Sequence, residues 1–329
     1  MLISWNTTRA CNLKCKHCYR DAGEKEKNEL NFSEAGALLE EIKKAGFRIV
    51  VLSGGEPLLR KDIYDICAYG KRLGLRMVLG SNGTLLDRSS AERLKAAGLS
   101  RAGVSLDSIN AENHDQFRGV KGSFDLVHKG MQNMLDSGLE FQVHTTVTRH
   151  NYTEMEEMVD YVAELGAAAY HVFFLVPTGR GKEEAENLIS PSEYFRLIAY
   201  ILDRQKDLAM ELKPVCAPQF MPLAKNKGLD LRFARGCLAG THYCCVLPNG
   251  DVHPCPYLPL NLGNVREIPF SKIWSDNPVL QKLRTLDYSG ACGTCKNKDI
   301  CGGCRARAYY HSGDFMAEDY YCKGKYGLV

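Results

Sequence analysis

The 329 residues contain no apolar run approaching the roughly 18 needed for a membrane-spanning helix. Neither sign of charge dominates. Forty-two Lys plus Arg stand against 39 Asp plus Glu, and the net +3 gives no argument for a nucleic-acid or membrane-surface partner. The opening MLISWNTTRACN lacks the basic segment and apolar core of a secretory signal, so the expected location is the cytoplasm. Low hydrophobicity is also missing: 45% hydrophobic and 25% charged residues exclude a disordered chain. Cysteine is nearly absent from the middle, where residues 19–215 hold only Cys67. Yet the chain has 14 cysteines, three at Cys11, Cys15 and Cys18 and ten between Cys216 and Cys322. Without an export signal, metal or redox ligation is a better use for them than disulfides.

Between these clusters, short apolar runs alternate with amphipathic windows. Strands are expected at 2–5, 49–53, 77–80, 102–106, 141–147 and 171–176, and helices at 33–45, 61–73, 88–97, 124–137 and 153–165. Runs such as RIVVLS are apolar on both faces, as buried parallel strands tend to be. Thr153 and Glu156 have capping-box spacing, and Ser190-Pro191 with Glu193 announces a sixth helix. Six βα units imply a parallel α/β fold, either an open sheet or a partial barrel. The Pro-rich stretch within 207–236 has no helical period and separates residues 1–206 from a loop-rich region, 237–329, with one helix expected near 278–286. Metal would compensate there for a thin core.

Cys11, Cys15 and Cys18 form C-x-x-x-C-x-x-C after the first strand, at the end of a parallel sheet where active sites gather. Three thiolates on one tight loop can hold three corners of an iron–sulfur cube and leave one iron open. A structural zinc site would want a fourth ligand, and His17 is the local candidate. The second strand leads into Gly54-Gly55-Glu56-Pro57, two glycines that allow close backbone approach and an acceptor for an amine.

With C-x-x-x-C-x-x-C and GGEP one strand apart, the whole chain resembles the radical S-adenosylmethionine superfamily. The resemblance implies a partial (β/α)6 TIM-like barrel. In it Cys11, Cys15 and Cys18 would bind a [4Fe–4S] cluster whose open iron chelates the amino and carboxylate groups of S-adenosylmethionine. Gly54, Gly55, Glu56 and Pro57 would hold the amino group. Ser81 and Asn82 would lie near the adenosyl part, Ser105 and Asp107 near the methionine carboxylate and ribose, and Arg118 would pair with the carboxylate. An electron from the cluster would yield a 5′-deoxyadenosyl radical that takes hydrogen from substrate. The electron would come from a low-potential donor such as ferredoxin or flavodoxin.

The C-terminal cysteines read C-x12-G-x4-C from Cys237 to Cys255, then C-x2-C-x5-C-x2-C from Cys292 to Cys304, and last Cys322. This resembles the SPASM extension, which binds auxiliary iron–sulfur clusters. Its interleaved ligation would give Cys237, Cys244, Cys255 and Cys304 to one cluster and Cys292, Cys295, Cys301 and Cys322 to the other. The Cys244-Cys245 pair leaves one ligand open, with the spacing before Gly250 favouring Cys244. A zinc ribbon is the alternative use of a repeated C-x-x-C. Cys67 reads as a core residue, and Cys216 as packing or as a substrate or cluster contact.

PTGRGK, CAPQF, GDVHPCPYL and CGGCRARAYYHSGDFMAEDYYC resemble tetrapyrrole maturases of alternative haem and haem d1 biosynthesis. The implied substrate is an iron porphyrinoid with propionate and acetate side chains. Arg180 and Lys182 are candidate partners for its carboxylates, and Phe173 for its ring. His144 and His253 are candidates to ligate iron or donate a proton. The competing readings are a maturase of a ribosomally made peptide, of mycofactocin or sulfatase type, and a non-catalytic iron–sulfur electron carrier.

Overall fold

Along β5 (Phe141–Val147), Phe141, Val143, Thr145 and Val147 are buried while Gln142, His144 and Thr146 between them are only half so. That two-residue alternation recurs in β6 (Ala169–Phe174) and β7 (Glu211–Val215), and it separates a helix-covered face from an inner one. The computed structural model describes residues 1–229 and 235–322, so part of the expected connector and the end of the C-terminal region lie outside the described residues.

The remaining strands are β1 (Leu2–Thr8), β2 (Ile49–Gly54), β3 (Arg76–Ser81), β4 (Arg101–Ser105), β8 (Tyr243–Val246) and β9 (Val252–His253). The sheet order is β7-β6-β5-β4-β3-β2-β1-β8-β9, parallel except for β8 with β9. From β1 to β7 the order never reverses. Right-handed crossovers therefore put every connecting helix on the same face, and the bare face lines the interior of an open barrel. Leu38, Leu39 and Ile42, Met131 and Met134, and Leu197 and Ile201 bury helix stripes against Val50, Leu79, Val143 and Phe174. Each such side chain contributes on the order of 2 kcal/mol.

Several boundaries follow local chemistry. Ser190 and Glu193 form the expected capping box with Pro191 at the start of the helix Pro191–Arg204. The box at Thr153 does not form. Asn151 instead ties the chain to the carbonyls of Asp107 and Thr146, and a 3-10 turn over Tyr152–Glu154 feeds the helix Met155–Glu164. A seventh strand, β7, occupies the Pro-rich stretch. Pro214 is tolerated because β7 is an edge strand paired only with β6. The helix Ala111–Arg118, too short for a clear period, was not expected either.

The cysteine-rich region does not stand apart from this sheet. β8 continues it, with Leu2 opposite Tyr243 and Trp5 opposite Val246. Phe47 meets Phe270 and Trp274 edge-on at ring separations of 5.4 and 4.8 Å. No described helix is long and apolar enough to cross a membrane.

Candidate active site and metal centres

The loop after β1 brings Cys11, Cys15 and Cys18 together. Amides of Leu13 and Ala22 donate to Cys11 Sγ and Cys18 Sγ at 3.4 Å each, and Arg118 Nη1 reaches Cys15 Sγ at 3.7 Å. Such donors favour thiolates, although burial pushes the Cys11 thiol up to about 11. The helix Ala111–Arg118 buttresses the loop: Lys14 N donates to Arg118 O at 3.2 Å and Lys16 N to Phe117 O at 3.1 Å. Gly119 ends that helix at φ +72°, where a Cβ would stand 2.6 Å from Lys14 O.

GGEP is laced to the same loop. Gly55 N donates to Thr8 O and Glu56 N to Ala10 O, at 2.8 and 2.7 Å. Cβ atoms on Gly54 and Gly55 would lie 2.4 and 2.2 Å from the carbonyls of Thr8 and Ala10. The glycines thus let the motif pack against the β1 loop at backbone distance. The Glu56 carboxylate is likewise engaged within the chain. It accepts from Ser81 Oγ at 2.9 and 3.0 Å, Asn82 N at 2.8 Å and Leu58 N at 3.1 Å, capping the turn begun by Pro57. Burial lifts its pKa to about 7 against those three donors. Asn82 passes the order on, with Nδ2 donating to Asn12 Oδ1 at 2.8 Å beside Cys11.

Asp107, beyond Ser105 at the end of β4, is 1% exposed and lies with Oδ2 2.6 Å from Arg118 Nη2. Thr146 N donates to its Oδ1 at 2.8 Å. Among the described residues, two buried side chains beside Cys15 have a polar atom with no hydrogen-bond partner, His17 Nδ1 and Arg118 Nε. Buried polar atoms without a partner beside a thiolate loop suit a polar ligand there. The residues suit a three-cysteine cluster and its nucleotide. His17 lies flat on Phe117 with centroids 4.1 Å apart, and burial followed by Arg118 keeps it neutral.

The C-terminal thiols fall into two sets. Cys292, Cys301 and Cys322 are electrostatic neighbours, and Cys295 adjoins Cys322. Cys304 leaves its sequence neighbour Cys301 and joins Cys237 and Cys255. A zinc ribbon would keep the two C-x-x-C pairs together, and this interleaving opposes it. A cubane would take such a set with one thiolate on each of its irons.

Cys244 packs apart from Cys237, Cys255 and Cys304. Neighbours in β8 face opposite ways, and Cys244, opposite Ile3, enters the helix-side core near Leu280 and Leu283, with its Sγ 3.1 Å from His253 O. Cys245 turns to the inner face, where Asn6 Nδ2 approaches its Sγ at 3.7 Å. Neither joins Cys237. The additional thiol packed there is Cys216. Cys67 is a buried core residue, as expected.

Arg180, expected to meet substrate carboxylates, is engaged within the chain. Its Nε donates to Cys15 O and its Nη1 to Asp21, both at 2.8 Å, so it straps the cluster loop. Lys182 is exposed. His144 lies on the inner face parallel to His171, with centroids 5.5 Å apart, and 5.2 Å from Phe173. A Cβ at Gly103 would stand 2.5 Å from the His144 ring, so glycine makes its seat. Burial and then His171 pull His144 down to about 3. That leaves it neutral, able to ligate but poor as an acid. His253 is buried with Nδ1 unsatisfied and is drawn to about 4 by burial and then Arg20. Two cations escaped sequence reasoning. Lys213 stands in register with His171, and Arg20, near Cys245 and His253, has no hydrogen bond or ion pair among the described residues. Only strand register could have flagged Lys213, and no motif flags Arg20.

A parallel half-barrel with three thiols on its first loop and interleaved thiols beyond it defines a radical S-adenosylmethionine enzyme with auxiliary cluster sites. Residues 5–162 match the Radical SAM superfamily and residues 237–305 an iron-sulfur cluster-binding domain, SPASM. The chain belongs to this superfamily, and membership brings a [4Fe–4S] cluster, S-adenosylmethionine and auxiliary iron–sulfur clusters. It is 43% identical to the AdoMet-dependent heme synthase of Methanosarcina barkeri, over 98% of this chain and 95% of that protein. With the Fe-coproporphyrin III synthase of the same organism it shares 33%, over 98% and 87%. Its fold is similar to that of Streptococcus suis SuiB bound to precursor peptide SuiA, with a TM-score of 0.80 at 19% identity, covering 98% of this chain and 75% of that one. The reading as a non-catalytic electron carrier is set aside by this membership.

Proposed function

We propose that the chain oxidatively modifies propionate or acetate side chains of an iron porphyrinoid, in haem or haem d1 formation. The observation that carries this is 43% identity, along nearly its entire length, to a protein named for haem synthesis. The inner face supports it. His144, His171 and Phe173 offer flat rings to a macrocycle, and Arg20 and Lys213 offer cations to its carboxylates.

Cys11, Cys15 and Cys18 would hold the first cluster. The Gly54–Pro57 backbone, Ser81 and Asn82, and Ser105, Asp107 and Arg118 would surround S-adenosylmethionine. When bound, these groups supply a 5′-deoxyadenosyl radical that removes one hydrogen atom from the substrate. A propionate carbon radical then loses carbon dioxide and one electron to become an alkene, so an electron acceptor is needed. Cys292, Cys295, Cys301 and Cys322 would hold a cluster suited to that task. On this reading residues 1–206 carry the radical chemistry, 237–329 the auxiliary clusters, and 207–236 join them. A ferredoxin or flavodoxin in the cytoplasm would supply the first electron.

The test is anaerobic reconstitution, reduction with dithionite and addition of S-adenosylmethionine. Iron-coproporphyrin or didecarboxysiroheme should stimulate 5′-deoxyadenosine formation, with mass loss from the porphyrinoid. Unchanged porphyrinoids, alongside stimulation by a precursor peptide, would favour the peptide maturase instead.

A further inference from the structure

Cys216 directly follows β7 with φ +59°, a left-handed backbone that costs a non-glycine residue about 1–2 kcal/mol. Such strain persists only where the surroundings impose it. Here they are a buried ion pair. Arg307 Nη1 donates to Cys216 O at 2.9 Å, while its Nε and Nη2 each lie 2.7 Å from the Asp319 carboxylate. Asp319 in turn accepts from Cys304 N at 2.7 Å and from Gln219 Nε2 at 2.9 Å. One fully buried Arg–Asp pair thus fixes the Cys216 turn against the backbone of Cys304.

The thiols meet accordingly. Cys255 and Cys304 are buried in a small apolar cluster with Val176, Ala239, Leu258 and Ala306, against which Cys216 and Cys237 pack. Cys304, Cys237 and Cys216 are all electrostatic neighbours of Cys255.

We infer that Cys216, Cys237, Cys255 and Cys304 hold the first auxiliary iron–sulfur cluster, with Cys216 in the place that spacing gave to Cys244. Four thiolates leave that cluster no open iron, so it has no vacant corner for substrate. The inference is independent of which substrate the chain takes.

The test compares anaerobically reconstituted full-length Cys216→Ala, Cys216→Ser and Cys244→Ala by iron and sulfide content, Mössbauer spectroscopy and the EPR spectrum of the reduced protein. Cys216→Ala should lose one cluster's iron or show a three-iron signal. Cys244→Ala should keep the iron content and spectra of the unaltered chain. If Cys216→Ala does not fold, Cys216→Ser, which keeps an oxygen ligand, should still show altered parameters for one cluster. Wild-type spectra in Cys216→Ser, or loss of auxiliary iron in Cys244→Ala with Cys216→Ala intact, would overturn it.

Discussion

Arg118 joins Asp107 to Cys15: one guanidinium nitrogen lies 2.6 Å from the buried carboxylate and another 3.7 Å from the thiol. Burial works against the charge of Arg118, yet Asp107 and then Cys15 outweigh it and hold the arginine firmly charged. Removing one member of such a pair strands the other. Arg118→Leu should therefore cost about 3–5 kcal/mol, read as a lower urea midpoint at unchanged slope. Adding Asp107→Asn should recover most of it, because the two residues are coupled. Purely additive losses would show that Asp107 does not depend on Arg118.

The two cysteine regions should separate in function. Cys15→Ala should abolish 5′-deoxyadenosine formation, since it removes one of three thiols on the first loop. Cys295→Ala should spare uncoupled cleavage of S-adenosylmethionine while impairing turnover. The measurement is 5′-deoxyadenosine and product per enzyme, with iron content as the control for folding. Equal loss of cleavage in a folded, metallated Cys295 variant would contradict this division.

What the sequence made legible was whatever has a period or a fixed spacing. β5 falls at the expected residues because its two faces meet different surroundings. The Cys11, Cys15 and Cys18 loop was legible because three ligands on one turn need close spacing. The side of the sheet that Cys244 takes was hidden for the opposite reason. Its distance from Gly250 is a feature of the chain, whereas its side of the sheet is set by the pairing of Ile3 with Cys244. Arg180 is a basic residue in an exposed-looking turn, and only tertiary structure shows its guanidinium spent on Cys15 O. Pro214 hid β7, because a proline argues against a strand unless the edge position is already known.

Arg20 should govern affinity for the porphyrinoid. A half-buried guanidinium without a partner among the described residues is ready to take a carboxylate, and a charge-assisted hydrogen bond contributes about 1.5–3 kcal/mol. Arg20→Leu should raise KM for iron-coproporphyrin by roughly 10- to 100-fold, a larger effect than on kcat. Arg20→Lys should restore part of it, since an ammonium keeps the charge but not the fork. Steady-state kinetics at saturating S-adenosylmethionine decide this, and an unchanged KM in Arg20→Leu would place the carboxylates elsewhere.

Lys213 gives the site a pH dependence with opposite signs in binding and in stability. Burial draws its pKa down to about 8, against the pull of Glu211. Below that the side chain is an ammonium that attracts a carboxylate, and as pH rises through 8 the charge is lost, so KM should climb. Folding goes the other way. The unfolded lysine keeps its proton to about 10.5, so between 8 and 10.5 the unfolded state binds more protons and stability rises with pH. Lys213→Met should flatten both profiles over that window, and Lys213→Arg, whose charge persists, should flatten the KM profile while leaving affinity high. Denaturant titrations and KM measured from pH 7 to 10 would check the pair. A KM rise that survives in Lys213→Met would assign the titration to another group.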